Sequence, residues 1–398
     1  MNPRKRSIRV QLDKTPEQLD LVRRMGSNNK TESMAALEAV AAVMTRPILQ
    51  AIEQANTVAN LYQKLNYSKG APATIKLDDY FDIRAANYLT SWSMSQPGGT
   101  QTNFVQGTTE LYVQTYPIDS AVSFNKNYLA AGDIDHLANT LTRLMQEILL
   151  IQQTNGAFVL FNSLAGARID GNSANTATNN IPMCRSTTAG VFQLDDWNNM
   201  EIGYDRTTAS WVGGTPVNDL REITDVLGSP EWMGQVRSIA YQPQNTRQVV
   251  ATQGASALGA PESVREEIFR GGSVPTLFGK VLHKVYEMGV GTTMAGGQAS
   301  FNGVFDTAVG ATLLPTNGSG FGGTAGAAFN GATEQVVVGL NTEMFDLARL
   351  TMADEKGDTF TLVADDTYSL RSQRVGMYGG FREGYVSVES RGKFAVAY

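Results

Sequence analysis

The chain has 398 residues, 42% of them hydrophobic and 18% charged, a composition typical of a folded globular protein and not of a disordered one. Its length suits two or three domains with a sizeable core. A formal net charge of −6 argues against a uniformly basic nucleic-acid-binding protein. The single cysteine, Cys184, excludes an internal disulfide bond and fits a cytosolic origin.

The N-terminal segment concentrates basic side chains, at Arg4, Lys5, Arg6 and Arg9. No apolar stretch follows them, so the segment does not have the pattern of a secretory signal peptide. Two interpretations stay open: a solvated arm, or an arm that touches phosphate or an acidic neighbour. The longest apolar run, residues 34–44, is too short to span a bilayer.

Residues 31–62 are predicted to form a helix. Thr31 suits the N-cap position and Glu32 the first helical turn, whereas Pro47 is expected to break or kink the helix. One face of this helix is apolar, with side chains at helical spacing at Leu37, Val40 and Met44.

Residues 72–125 have a different character. Two segments rich in β-branched and aromatic residues, "IRAANYLTSWSMS" and "ELYVQTYPIDSAVSF", are typical of strands, and Pro97 with the two glycines after it supplies a turn between them. Together they predict a long two-stranded excursion. Because an isolated hairpin is only marginally stable in water, the excursion needs a surface to lie on.

A longer helix is predicted for residues 133–164, where apolar side chains recur at helical spacing behind an acidic start at Asp133 and Asp135. Residues 166–190 are predicted to be a loop. A capping residue followed by proline predicts two more helices, beginning at Thr215 and at Ser229, and a similar start predicts another over residues 261–269.

The C-terminal part begins with a glycine-rich stretch, residues 310–333. A buried strand is predicted from Glu334, then a short helix in "NTEMFDLARL", then three strands separated by turns within residues 359–389. Glycines are expected to let these last strands turn and bend, at Gly376, Gly379, Gly380 and Gly384. The whole pattern predicts a mixed α+β protein.

The motifs that usually mark an enzyme are weak or missing. A G-x-G-x-x-G match begins at Gly318, but proline and threonine precede it where a dinucleotide site needs a strand. His136 and His283 are too few for a histidine-rich zinc site. Caps and turns explain most carboxylate clusters, with an acid–base pair as the alternative, at Asp78–Asp79, Asp195–Asp196, Asp354–Glu355 with Asp358, and Asp365–Asp366. We therefore expect no enzymatic activity, no cofactor and no metal.

The order of the segments carries a resemblance to a known family. "PATIKLDDYFDIRAANYLTSWS" and the closing "FTLVADDTYSLRSQRVGMYGG" resemble the extended loop and the terminal hairpin of major capsid proteins of tailed bacteriophages, with the Hong Kong 97-type fold. The resemblance covers the chain from about residue 31 onward and includes no single diagnostic motif. It implies a subunit that assembles as hexamers and pentamers into an icosahedral shell around double-stranded DNA, in a virion assembled in the host cytoplasm.

The resemblance also implies a division of the chain. An N-terminal arm with its helix would occupy residues 1–71, the extended loop 72–128, the spine helix and peripheral domain 129–190, the axial domain 191–350, and C-terminal strands returning to the peripheral domain 351–398. The loop would lie on an adjacent subunit, with candidate contacts at Trp92, Pro97, Phe104, Tyr112 and Tyr116. The basic side chains expected to face DNA are Arg4, Lys5, Arg6 and Arg9.

The implied partners are other copies of the chain, a portal, cement or scaffolding proteins, and packaged DNA bound without sequence specificity, but no membrane. Some members of the family join subunits covalently through a lysine on the extended loop. Here no lysine lies between Lys76 and Lys126, so we expect no such cross-link. Three alternatives remain: an encapsulin-like nanocompartment shell, a tail or portal subunit, and a soluble hydrolase that uses one of the aspartate clusters.

Overall fold

The computed structural model describes residues 15–78, 108–166, 181–186, 188–212, 222–241, 276–293, 297, 299–315, 325–343, 347–354, 357–365, 374–388 and 392–398. These residues form an α+β structure, which confirms the predicted class. The chain divides into two compact units. The first consists of Met1–Ile75, Tyr112–Ala157 and Ala348–Val386, and the second of Lys76–Leu111, Phe158–Leu347 and Ser387–Tyr398.

The helices, in chain order, are α1 (Pro16–Met25), α2 (Lys30–Ala55), α3 (Lys126–Ala130), α4 (Ile134–Gly166), α5 (Leu194–Val212), α6 (Pro230–Tyr241) and α7 (Phe301–Val309). The strands are β1 (Gln63–Ser68), β2 (Thr74–Asp78), β3 (Thr108–Tyr112), β4 (Tyr116–Asn125), β5 (Met183–Arg185), β6 (Asp225–Gly228), β7 (Thr276–Leu277), β8 (Lys280–Lys284), β9 (Leu313–Pro315), β10 (Ala325–Ala328), β11 (Val336–Leu340), β12 (Leu347–Ala353), β13 (Thr361–Asp365), β14 (Arg374–Ser387) and β15 (Lys393–Ala397).

The first unit is built on a five-stranded sheet in the order β1-β12-β14-β13, with β4 also paired to β14. β4 runs antiparallel to β14, from Tyr116 opposite Glu383 to Asn125 opposite Arg374. One face of the sheet packs on the buried faces of α2 and α4 in a single apolar core. On the opposite face of β4, alternate residues are exposed, so this sheet is covered on one side by helices.

The second unit is built on a six-stranded sheet in the order β5-β15-β11-β6-β8-β7. β11 is buried along its whole length and pairs on both sides, with β15 and with β6. The aromatic core of this unit groups Phe192, Trp197, Trp232 and Tyr398, with Phe192 in edge-to-face contact with the other three rings.

Several predicted elements are confirmed. The helix predicted over residues 133–164 is α4, Ile134–Gly166, and Asp133 accepts a hydrogen bond from the backbone N–H of His136 at its start. The helix predicted from Ser229 is α6, and the Ser229 hydroxyl accepts from the backbone N–H of Trp232. The buried strand predicted from Glu334 is β11.

The N-terminal helix differs from its prediction. α2 begins at Lys30, with Asn29 at the N-cap position, and ends at Ala55, not near residue 62. Pro47 lies inside α2 without ending it. A short 3-10 helix and β1 occupy the remainder of the predicted helical range, because Val58 and Leu61 are buried and β1 pairs with β12. α1 was not predicted, although Thr15 followed by Pro16 is the same start signal that located α6.

The predicted two-stranded excursion is wrong in its second half. The segment "ELYVQTYPIDSAVSF" divides into β3, which ends at Tyr112, and β4, which belongs to the five-stranded sheet. The cause is burial: Ile118 and Phe124 alternate inward from β4 onto the helices of the first unit. Of the strands in this range, β2 and β3 pair with each other as a two-stranded ribbon.

Two C-terminal predictions are also wrong. "DLARL", predicted as the end of a short helix, contains the start of the strand β12, whose residues 347–351 are buried between β1 and β14. The glycines expected to bend the last strands lie inside one continuous strand, β14. β15 does not return to the sheet of the first unit, because it pairs with β11 and β5 in the second.

Other predictions fall partly or wholly outside the described residues: the basic residues 4–9, the turn at Pro97, the helix starts at 215 and 261, and the G-x-G-x-x-G match. The predicted loop 166–190 contains β5, which was missed, as was α5. By length and composition alone, α2 and α4 could each cross a membrane. Each also buries one face in the core of the first unit, as core helices of water-soluble proteins do.

Candidate functional site

A buried polar cluster fixes the elements of the first unit against one another. The guanidinium of Arg349 on β12 contacts Glu383 on β14 at 2.7 Å, and both side chains are almost inaccessible to solvent. Gln152 of α4 donates to the same carboxylate oxygen at 3.1 Å, and the Tyr385 hydroxyl donates to the other at 3.1 Å. Arg349 also donates from Nε to Glu383 at 2.9 Å, so four donor contacts in all satisfy a carboxylate that has left water.

The cluster extends to the end of α2 and the middle of α4. Asn56, just after α2, donates to Gln152 at 3.3 Å, and the Tyr62 hydroxyl donates to the carbonyl of Gly156 at 2.6 Å. Burial, followed by the charge of Glu383, raises the pKa of Tyr116, and burial raises the pKa of Tyr385. Both phenols therefore stay neutral hydrogen-bonding groups, and the cluster serves packing and positioning.

The ribbon formed by β2 and β3 begins directly at the border of the first unit. The backbone N–H of Val113 donates to the carbonyl of Ala73 at 2.9 Å and closes the base of the ribbon. Beyond it the two strands pair only with each other. Tyr112, one of the candidate contacts, is 72% exposed on β3. At the end of β3 nearest the first unit, an aromatic side chain therefore faces solvent.

The remaining predicted contact residues are placed differently. Tyr116 begins β4, where it is half-buried and packs on the core of the first unit. Trp92, Pro97 and Phe104 lie outside the described residues, as do the four basic residues predicted to face DNA, Arg4, Lys5, Arg6 and Arg9. The structure therefore brings none of the predicted contacts together, and their roles stay predictions.

An open cleft on the exposed side of the first unit collects carboxylates. Its volume is about 300 Å³, and Asp119, Asp354 and Asp358 line it beside Lys69 and Arg382. The charge of Asp119, which also accepts a hydrogen bond from the Tyr378 hydroxyl, raises the pKa of that phenol. Within the part of the chain that the structure describes, no group of three or more His, Cys, Asp or Glu side chains is arranged to hold a metal ion.

A histidine–aspartate pair lies in the second unit. His283 Nε2 of β8 is 2.6 Å from Asp225 Oδ1 of β6. The hydroxyls of Thr224 and Thr342 both donate to Asp225 Oδ2, at 2.7 and 2.9 Å. Burial alone would raise the pKa of Asp225, but the hydrogen bonds from His283 and the two threonines outweigh it and hold that pKa below its usual value.

This pair lacks the order of contacts that a catalytic triad needs. In a triad the nucleophilic hydroxyl hydrogen-bonds to the imidazole, which takes its proton. Here both threonine hydroxyls contact the carboxylate instead. Another predicted carboxylate cluster is also explained structurally, because Asp196 accepts from the Ser186 hydroxyl and from the N–H of Gln193 at the start of α5.

Sequence reasoning missed the buried cluster around Glu383 and the pair at Asp225. Neither has a local motif, since their members come from strands and helices far apart in the chain. One signal was available: Arg349 and Glu383 are charged residues in segments otherwise rich in apolar side chains and glycine, and such charges are buried only in pairs.

No protein-family model and no curated protein matches the sequence. Solved structures match most of the chain at low identity. The capsid of cyanophage P-SCSP1u is 14% identical, with 86% of this chain and 88% of that chain covered and a TM-score of 0.46. The mature capsid of bacteriophage PhiM1 is 10% identical, with 86% of each chain covered and a TM-score of 0.43. An encapsulin complex from Synechococcus elongatus is 9% identical, with 86% and 88% covered and a TM-score of 0.42.

Two of these structures are phage capsids, the class that the sequence resembles, and the third is an encapsulin, the class given as the first alternative. At such low identities and TM-scores, the chain's own residues have to carry the inference of function.

Proposed function

We propose that the chain is a shell-forming major capsid protein of the Hong Kong 97 type, which assembles as hexamers and pentamers into an icosahedral shell around double-stranded DNA. Its role is then structural and not enzymatic. The order of elements supports this proposal: an arm helix α2, a two-stranded excursion, the 33-residue helix α4, a second sheet-built unit, and a return to the sheet of the first unit through β12 to β14.

The ribbon β2–β3 is the observation that carries the proposal. Among the described residues it pairs with no larger sheet, and it connects to residues 79–107, of which residues 85–107 contain no charged side chain. As an extended hairpin, such a segment would reach roughly 45 Å at about 3.3 Å per residue. The radius of gyration of a compact chain of this length is only about 21 Å. An aromatic-containing hairpin of that reach, uncharged over residues 85–107, needs the surface of another subunit.

The implied division of the chain is retained as part of the proposal, with two changes. The extended loop would end before β4, which belongs to the first unit's sheet, and the last strand would belong to the axial domain. The first unit would then be the peripheral domain and the second the axial domain. Candidate inter-subunit contacts on the loop are Trp92, Pro97, Phe104 and Tyr112.

The proposal predicts which side of the shell carries acidic side chains and which carries basic ones. Packaged DNA repels an acidic surface, so a subunit with a net charge of −6 would place acidic side chains outward or at interfaces. Arg4, Lys5, Arg6 and Arg9 would face DNA without reading its sequence. The further partners would be a portal and cement or scaffolding proteins, and the location a virion assembled in the host cytoplasm.

Negative-stain electron microscopy of the purified full chain, with light scattering beside it, tests the proposal. We expect closed polyhedral shells, or rings of five and six subunits. A monomer at every concentration would overturn the shell function and favour a soluble enzyme. Small shells that contain a protein cargo and no nucleic acid would instead identify an encapsulin-like compartment, and a tube or a single ring would identify a tail or portal subunit.

A loop variant separates assembly from folding. Replacing residues 85–107 by a Gly-Ser linker of equal length removes the proposed contact surface and keeps every core residue that the structure describes. We expect cooperative thermal unfolding to persist while shells are lost. Shells that form normally from this variant would contradict the role assigned to the ribbon.

A further inference from the structure

Among the described residues, the strand β4 pairs on one side only, with β14, and so forms an edge of the first unit's sheet. It bonds to β14 along ten residues, from Tyr116 to Asn125. Apart from that ladder, none of its backbone groups has a backbone partner among the residues that the structure describes. A row of free N–H and C=O groups of this length is a template for pairing with another strand.

The other edges of the same sheet carry the usual protection. β1 has six residues and places Lys64 on the edge, and β13 has only five residues. Short edge strands and edge lysines prevent pairing between molecules. β4 is longer than both and contains neither lysine nor arginine, and its one proline, Pro117, is its second residue. β4 therefore lacks the features that hinder pairing with another molecule at β1 and β13.

We propose that β4 pairs with β4 of a second copy of this chain, antiparallel about a two-fold axis at Ala121. This inference rests on the proposed self-assembly and assigns one of its contacts. Directly opposite residues in an antiparallel pair point to the same face, so the axis must pass through a residue and not between two. Centring it on Ala121 leaves residues 117–125 paired and places Pro117, which lacks an N–H, at the end of the ladder.

The register at Ala121 is self-complementary. On the helix-covered face, Ile118 of each copy faces Phe124 of the other, so two buried apolar side chains continue the core across the axis. On the open face, Asp119 faces Ser123, whose hydroxyl can donate to the carboxylate. No like charges stand opposite each other, and the residue on the axis is small.

The charged groups next to β4 do not oppose this pairing. Glu147 of α4 already accepts from the Ser120 hydroxyl at 3.2 Å and lies beside Arg143. Asp119 accepts from the Tyr378 hydroxyl on the neighbouring strand. The contact would be isologous, joining two five-stranded sheets into one that crosses the subunit boundary and removing the open edge from both.

Disulfide trapping tests the register directly. In Ala121→Cys, the two thiols would lie on directly opposite residues, whose Cα atoms are about 4.5–5.5 Å apart, within disulfide range. In the matched control, Ser123→Cys, the new thiol lies on the same exposed face, but the two copies would be separated by about 13 Å, four residues along a strand. The wild type controls for the buried Cys184.

The variants are oxidised as assembled particles, already identified by electron microscopy, and run on a non-reducing denaturing gel. We expect a dimer band that contains most of the Ala121→Cys protein and is absent from Ser123→Cys and from the wild type. Particles that give no Ala121→Cys dimer would overturn this pairing while leaving the shell function intact. Equal dimer from both variants would overturn it too, because the contact would then be unspecific.

A charge variant provides the second measurement. Ala121→Lys places two lysines opposite each other on the axis, and like charges at directly opposite positions destabilise a strand pair. Since the side chain is exposed in the subunit, folding should be unaffected. We expect particles to be lost or reduced at least tenfold in Ala121→Lys and retained in Ala121→Ser. Normal assembly of Ala121→Lys would contradict the proposal.

Discussion

At the scale of single residues, burial of charge is where this chain departs most from a simple apolar core. Glu383 is fully buried, and Arg349, Gln152 and Tyr385 all donate to it. Such a pair contributes little to stability as a whole, because desolvation opposes the attraction between the charges. Replacing any single member is nonetheless destabilising, because the replacement leaves another buried polar group without its hydrogen-bonding partner.

Arg349→Ala is therefore expected to lower the free energy of unfolding by about 3–5 kcal/mol, because it leaves the Glu383 carboxylate buried and unpaired. Denaturant unfolding followed by circular dichroism measures the change. Lys64→Ala is the matched control, since the Lys64–Glu53 pair is more than a third exposed and its loss should cost about 1 kcal/mol or less. A loss in Arg349→Ala no larger than in the control would contradict the account of the cluster.

The lowered pKa of Asp225 predicts how the free energy of unfolding changes with pH. Its pKa is lowered in the folded state, so the stabilisation is complete above the unfolded pKa of about 3.9 and disappears as the pH falls through the folded value. We expect Asp225→Asn to lower stability by about 1.5–3 kcal/mol at neutral pH and by less once the pH has fallen below the folded-state pKa. Unfolding monitored by tryptophan fluorescence at several pH values checks this.

Asp195→Asn, at an exposed aspartate in the same unit, is the control for Asp225→Asn. Because this side chain is exposed, its replacement should change stability at neutral pH by less than Asp225→Asn does. An equal loss of stability in Asp225→Asn at both ends of the pH range would show that the residue acts by packing and not by its charge.

At the scale of elements, glycines inside helices show how packing decides what a position tolerates. A Cβ atom at Gly156 of α4 would sit 3.5 Å from its nearest neighbours, the side chains of Tyr385 and Val58, which is ordinary contact. A Cβ atom at Gly303 of α7 would approach the carbonyl oxygen of Thr292 to 2.3 Å, and a backbone atom cannot move aside as a side chain can.

The two glycine-to-alanine substitutions should therefore change the free energy of unfolding in opposite directions. Gly156→Ala is expected to stabilise the protein by about 0.5–1 kcal/mol, because alanine loses less backbone entropy in a helix. Gly303→Ala is expected to destabilise it by about 1–3 kcal/mol through overpacking. Thermal unfolding of both variants in parallel measures this, and destabilisation by Gly156→Ala would show that the helix needs the glycine there for another reason.

Sequence patterns located those elements whose capping residues and apolar spacing lie within the element itself. α4 was predictable from its apolar period, and α6 from its serine, proline and glutamate start. α5 could have been found from the spacing of Trp197, Met200 and Tyr204, all buried. β12 could not, because "DLARL" suits a helix locally, and only pairing between β1 and β14 makes a strand of it.

The candidate site was less predictable than the elements. Partners of Glu383 and Asp225 come from distant segments, so no spacing in the sequence reveals them. The open edge of β4 likewise exists only once the sheet order is known, although the lack of lysine from Tyr116 to Asn125 is visible in the sequence. Sequence alone could predict the class and the helices α4 and α6, while charge burial and strand order depend on tertiary pairing.

At the scale of the whole molecule, the chain passes back and forth between the two units. The first unit takes its residues from three stretches of the chain and the second from three others. Stability of a shell built from such subunits would come from many modest contacts acting together, since multivalent attachment raises effective concentration without new chemistry. The ribbon, the arm and the β4 edge are the proposed contacts.

Such a shell should hold together without covalent bonds between subunits. No lysine lies between Lys76 and Lys126, so the excursion has no amine to form an isopeptide bond. Purified mature particles boiled in detergent and reducing agent are expected to give a single band near 43.0 kDa. A ladder of higher bands that resists reduction would contradict this and would call for mass spectrometry to locate the linked residues.

The position of β15 has a consequence for the order of events during synthesis. Its residues 393–397 lie between β11 and β5, so the six-stranded sheet stays divided until they are available. Strands β6, β8 and β11 can pair earlier, whereas β5 must wait for more than two hundred further residues to be translated, at least ten seconds at about 5–20 residues per second. A chain interrupted before β15 would thus lack a finished second unit, and incomplete chains would be kept out of an assembly that selects folded subunits.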